Sequence, residues 1–154
     1  MKIGLIVYSQ SGHTLKVARA LEAALADAGH DVALEPIETV GLTRPGLTDV
    51  PLQVAPEIGG YDALVLGTPT WGGAMASPMA TYLAQVDTLA SKPVACLVTG
   101  FFPAGWGRNQ TLAQMKEVCE GLGATVMGTG SAGWLSFRRK RQIEEAVAQL
   151  CGLF

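Results

Sequence analysis

Aromatic residues (6%) and charged residues (16%) are scarce, and neither sign of charge prevails: 11 Lys and Arg against 13 Asp and Glu leave a formal charge of -2 at pH 7. The near balance removes the basic footprint of a nucleic-acid binder, and no lysine-rich arm addresses a membrane surface. No apolar run nears the roughly 20 residues that cross a bilayer, and Ile3 to Val7 is too short for a signal peptide and lacks a cleavage site. The three cysteines, Cys96, Cys119 and Cys151, are odd in number and too widely spaced for a zinc pattern or a redox pair, so they read as core thiols of a reducing compartment. The cytoplasm is the expected location. What is abundant is apolar: 49% of 154 residues, with 19 glycines, predicts one compact soluble domain over residues 1–154 and excludes disorder.

Short apolar runs alternate with helical periodicity along the chain. Ile3 to Tyr8 reads as a strand covered on both faces, followed by the polar loop Ser9 to Thr14 and a helix whose Leu15, Ala18, Leu21, Leu25 and Ala28 share one side before Gly29 stops it. Val32 to Leu34 predicts a second strand. Pro36 to Gly60, broken by prolines 36, 45, 51 and 56, predicts mostly loop with at most one short helix. Ala63 to Leu66 predicts a third strand ending in the loop Gly67 to Gly73, and Ser77-Pro78 opens a helix through Val86. Val94 to Thr99 is a fourth strand, Gly100 to Arg108 a long loop, and Thr111 to Cys119 a helix closed by Gly121. A fifth strand begins at Thr125 to Met127, and Arg138 to Cys151 forms the last helix. This alternation is that of an α/β fold, a parallel sheet with helices on both faces.

In such a sheet ligands gather outside the carboxyl ends of the strands, which singles out three loops. In the first, Ser9, Gln10, Ser11, Gly12, His13 and Thr14 offer hydroxyls and backbone N–H groups at the positive end of a helix dipole, a cup for a terminal phosphate. It lacks both the Gly-Lys-Ser/Thr ending of a nucleoside-triphosphate loop and the three-glycine dinucleotide fingerprint. An ordinary helix-capping turn has the same composition. In the second, Thr68, Pro69, Thr70, Trp71, Gly72 and Gly73 place an indole at a strand end, either as a plate for a flat ligand or packed on the adjacent helix. In the third, Thr99, Gly100, Phe101, Phe102 and Trp106 furnish another aromatic wall, and a hydrophobic lid or dimer contact reads equally well. Arg108 either faces this site, where its cation would stabilise negative charge on a ligand ring or orient an anionic substrate, or lies on the surface. His13 reads as a polar group exposed beside the phosphate rather than an acid-base catalyst, and no catalytic side chain and no metal-ligand set can be assembled from these loops.

Taken together, the loops resemble the flavodoxin family over nearly the whole chain. Ser9-Gln10-Ser11-Gly12-His13-Thr14 matches that family's phosphate loop, Ser/Thr-x-Ser/Thr-Gly-x-Thr, and Gly67-Thr68-Pro69-Thr70-Trp71-Gly72-Gly73 is similar to its ring-contact loop and to the Gly-Thr-Pro-Thr run of related NAD(P)H-quinone reductases. The resemblance implies a five-stranded parallel sheet ordered 2-1-3-4-5 that holds FMN. Trp71 would stack on the ring, the Gly72 carbonyl would meet the flavin N–H formed on reduction, and Phe101, Phe102 or Trp106 would take the outer face.

Two functions follow from that resemblance: an FMN-dependent oxidoreductase passing electrons from NAD(P)H to a quinone or similar acceptor, or an electron-transfer flavodoxin docking on redox protein partners. Thr68 to Pro78 and Thr99 to Gln110 contain no Asp or Glu. A carboxylate at roughly 8 Å from a flavin anion costs about 2 kcal/mol at an effective dielectric of about 20, or about 90 mV for one electron. Its absence favours the enzyme. The expected partners are thus a small-molecule electron donor and acceptor or a redox protein, with a homodimer also compatible. Arg138-Arg139-Lys140-Arg141 crowds positive charge at a helix start, where the dipole opposes it; it reads as a solvated cluster near Glu144 and Glu145, or as a site for an anionic partner or the extra phosphate of NADPH.

Overall fold

A computed structural model describes residues 1–135 and 137–154. Strand β1 (Lys2–Val7) leads into helix α1 (His13–Asp27), and β2 (Asp31–Pro36) returns beside β1. The short strands β3 (Glu38–Thr39) and β4 (Leu52–Val54) follow, then β5 (Ala63–Trp71), β6 (Ala74–Met75) and α2 (Ser77–Gln85). Strand β7 (Pro93–Gly100), a 3-10 turn at Ala104–Trp106, α3 (Arg108–Gly121), β8 (Thr125–Gly133) and α4 (Arg139–Cys151) complete the chain.

The main sheet runs β2-β1-β5-β7-β8 with parallel neighbours throughout, and β6 pairs antiparallel with β5. This is an α/β fold with the expected order 2-1-3-4-5, once its five parallel strands are numbered among themselves. Successive side chains of a strand point to opposite faces, so Ile6, Leu66, Cys96 and Val98 join the core under α2 and α3 with Met79, Leu83 and Met115. Leu5, Val7, Val65 and Leu97 face the other way and meet Val17, Leu21 and Leu25 of α1 and Leu150 of α4. Burial on both faces is why these strands read as unbroken apolar runs. Cys96 and Cys119, distant in sequence, are adjacent in the first core as free thiols; their mutual hydrogen bond and burial push the Cys96 thiol well up.

Three segments depart from expectation. Pro36 to Gly60, expected as mostly loop, contains two short strands, β3 and β4, that pair antiparallel through Glu38↔Val54 and Thr39↔Leu52. The residues expected to form the second loop are mostly strand: β5 continues through Thr68↔Val98 and Pro69↔Thr99, then folds on β6 through Thr70↔Met75 and Trp71↔Ala74. Gly72 (φ 61) and Gly73 (φ 81) make that tight reversal, in a region where an L side chain is strained. Finally, α3 begins at Arg108 rather than Thr111, which takes Arg108 out of the loop.

Because the five strands are parallel, the segments after β1, β7 and β8 and the β5–β6 turn all emerge at one edge. That edge carries the site.

Candidate functional site

Two cavities meet there. One, about 300 Å³, is lined by Gln10, Ser11, His13, Pro45, Pro69, Thr70, Trp71, Thr99, Gly100 and Phe101. The other, about 270 Å³, is lined by Thr70, Gly72, Gly73, Gly100, Phe101, Phe102, Trp106 and Arg108. They share Thr70, Gly100 and Phe101, so one cleft runs from the N-terminus of α1 to the segment after β7. No Asp or Glu is among the lining residues.

The end nearest α1 is fixed by hydrogen bonds. Gly12 caps the helix with φ 88, a left-handed conformation suited to glycine, and itself offers no side-chain cap, so the N–H groups of His13 and Thr14 keep no intrahelical partner. Ser9 Oγ accepts from the Leu15 N–H at 3.2 Å. Gln10 donates through Nε2 to the Thr43 carbonyl at 2.7 Å, which draws the segment before β4 beside the loop and sets Pro45 against the cleft. Thr14 and Thr99 hydroxyls bond to each other at 2.7 Å, both buried, and tie α1 to β7. Thr68, also buried, accepts the Ala76 N–H and so holds the β5–β6 reversal. Ser9, Thr14 and Thr68 therefore build the frame, while Gln10, Ser11 and His13 line the space.

His13 is not simply exposed. Its ring stacks on Trp134 at 4.2 Å and 18° and meets Phe101 edge-on at 5.2 Å, and the Arg139 guanidinium sits 5.6 Å from the Trp134 ring centroid. Burial, then the charges of Arg139 and Lys16, hold the imidazole below its ordinary 6.5. These cations give the α1 end a positive field that adds to the helix dipole. Sequence reasoning missed Trp134; its signal was its place at the end of β8, on the same edge as the three loops.

From Trp71, in the cavity nearest α1, to Trp106, in the other, the cleft is aromatic and becomes open. Trp71 is half-buried with its edge on Tyr8 at 5.7 Å and 88°, so it both packs on protein and lines the cleft. Phe101, Phe102 and Trp106 are 50%, 56% and 72% exposed, and Phe102 and Trp106 lie 5.9 Å apart. Buried Thr70 Oγ1, where the cavities join, has no hydrogen-bond partner among the described residues. Such an orphan hydroxyl fits a ligand with a polar edge.

The profile of a family described as NADPH-dependent FMN reductase matches residues 1–136. The chain belongs to that family. Among its relatives, NAD(P)H dehydrogenase (quinone) 3 of Rhizobium meliloti is 31% identical over 140 residues, covering 82% of this chain and 66% of that protein. NAD(P)H dehydrogenase (quinone) of Paracoccus denitrificans is 30% identical over 137 residues, covering 80% and 65%. The chain thus spans about two thirds of the length of these relatives. Among solved structures, flavodoxin 2 of Bacillus cereus superposes with a TM-score of 0.71 at 22% identity, covering 100% of both chains. A flavodoxin, WrbA-like protein of Agrobacterium tumefaciens gives 0.71 at 15%, covering 99% of this chain and 96% of that one. The fold of this reductase-family chain is flavodoxin-like. Among the described residues no helix is long and apolar enough to cross a membrane.

Proposed function

We propose that the cleft holds FMN and that the protein is an oxidoreductase taking electrons from NAD(P)H and giving them to a quinone or similar acceptor. One observation carries the reading: a continuous cleft has hydrogen-bonding groups and positive potential at one end, aromatic walls at the other, and no carboxylate along it.

The groups present fit FMN. The unpartnered N–H groups at the start of α1, with Gln10, Ser11 and His13, suit the phosphate, and Lys16 and Arg139 favour its charge from a distance. Trp71 and Phe101 provide faces for a flat ring, a stacking worth about 0.5 to 1.5 kcal/mol per pair beyond burial. Thr70 Oγ1 and the backbone of Gly72 and Gly73 suit the ring's polar edge. When bound, FMN supplies hydride acceptance and onward electron transfer, and the protein's part is to bind, orient and exclude water. The exposed Phe102 and Trp106 leave an apolar approach for donor and acceptor.

The test is steady-state oxidation of NADPH and NADH by the FMN-loaded protein with a soluble quinone. Turnover well above that of an equal concentration of free FMN is expected. Turnover equal to free FMN, with rapid reduction by a redox protein instead, would replace this reading with that of an electron-transfer flavodoxin.

A further inference from the structure

Arg108 is the one charged side chain among the buried described residues, at 6% exposure. It opens α3, and its stem crosses Gly100, where a Cβ would lie 3.0 Å from Arg108 Cγ. Its head reaches Gly133, where a Cβ would lie 2.9 Å from Nη2, and Nη1 donates to Ser131 Oγ at 2.9 Å. Two glycines thus make room for one guanidinium. Among the described residues, buried Nε has no partner and no carboxylate pairs with the guanidinium. Glu145 lines the groove on the far side of Arg108, but its carboxylate is held by Arg141 at 2.9 Å.

An arginine stays ionised even here, so the fold carries a buried positive charge with no permanent counterion. An apolar side chain of similar volume would be less costly to bury. The same residue lines the ring end of the cleft, beside Thr70, Gly72, Gly73 and Phe101. A cation in that position, without an anion of its own, suits a negative charge that is present in only one state of the ligand.

We infer that Arg108 is a fixed countercharge for the reduced cofactor, a positioning residue that acts from behind the segment after β7 and favours two-electron reduction. This rests on the FMN reading above. A nicotinamide donor gives up one hydride, that is two electrons and one proton, and leaves oxidised; the negative charge thereby added to the cofactor is the one the guanidinium offsets. Arg108 binds no phosphate and transfers no proton in this role.

The experiment compares wild type, Arg108→Met and Arg108→Lys for three quantities: affinity for oxidised FMN by fluorescence quenching, the two-electron midpoint potential, and thermal unfolding of the apoprotein. For Arg108→Met, affinity for oxidised FMN should change little. Affinity for reduced FMN should fall about tenfold, read as a midpoint potential lower by about 30 mV. Arg108→Lys should lie between the two. The apoprotein of Arg108→Met should unfold no earlier than wild type, because a buried unpaired charge has gone; if that variant does not fold, the potential of Arg108→Lys decides. A wild-type potential retained in every variant that folds would overturn the assignment while leaving FMN binding intact. Failure of wild type to bind FMN would instead overturn the reading on which it rests.

Discussion

The two ends of the cleft are built differently. At the α1 end, side chains are committed to one another: Ser9 to the Leu15 N–H, Gln10 to Thr43, Thr14 to Thr99, and His13 between Trp134 and Phe101. At the far end Phe102 and Trp106 stand more than half exposed. A phosphate needs donors fixed in one geometry, and preorganising them lowers the cost of binding. A donor and an acceptor that visit the same ring in turn need an apolar surface that accommodates both. The wired end suits the retained cofactor, and the open end suits the exchanged substrates.

This contrast can be broken from either side. The largest effect on FMN binding should come from Gly12→Val, which forces a β-branched residue to φ 88 at the helix cap. We expect at least a tenfold loss of FMN affinity by equilibrium quenching, with about 1 to 2 kcal/mol of lost stability by urea unfolding. Thr14→Val should follow. It leaves the buried Thr99 hydroxyl without its partner and should lower stability by about 1 to 3 kcal/mol, while Thr14→Ser should retain most of it. Trp71→Ala should weaken FMN binding by roughly 2- to 13-fold, the factor that corresponds to about 0.5 to 1.5 kcal/mol of stacking. Trp106→Ser, at 72% exposure, should leave stability within about 0.5 kcal/mol of wild type and raise the KM for a hydrophobic quinone.

The smallest effect is expected from pH. His13 is held below 6.5 in the folded chain, first by burial and then by Arg139 and Lys16. The unfolded chain therefore takes up the proton first, so the contribution of neutral His13 to stability is present above the unfolded value and lost as pH falls from about 6.5 through the lower folded value. NMR titration of the apoprotein should place His13 below 6.5, and bound FMN, by adding a phosphate nearby, should raise it.

The order 2-1-3-4-5 came from the loops' resemblance to the flavodoxin family, whereas the alternation of strands and helices was legible because Ile3 to Tyr8, Ala63 to Leu66 and Val94 to Thr99, buried on both faces, read as apolar runs. The β3–β4 pair was not: strands of two and three residues among prolines have no periodicity, and only backbone pairing across Glu38↔Val54 defines them. Thr68 to Trp71 read as loop because threonine, proline and a large aromatic interrupt the apolar pattern, yet β7 on one side and β6 beyond supply their partners. Within the site, composition marked Gln10, Ser11, His13 and Trp71 for the cleft but did not separate them from Thr14 and Thr68, which face inward. Whether a hydroxyl lines a cavity or braces its wall depends on which residue lies opposite. Arg108 and Trp134 show the same limit: a lone charge after a glycine-rich stretch gives no sign of burial, and a tryptophan beyond β8 gives no sign of the histidine it stacks on.

Whether the cleft holds FMN by its phosphate is tested most directly by titrating flavin-free protein with FMN and, separately, riboflavin, followed by flavin fluorescence. Saturable quenching at one FMN per chain is expected, with riboflavin bound at least tenfold more weakly because the donors at the start of α1 lose their anion. FMN fluorescence unchanged by the protein, or equal affinity for the two flavins, would contradict this mode of binding.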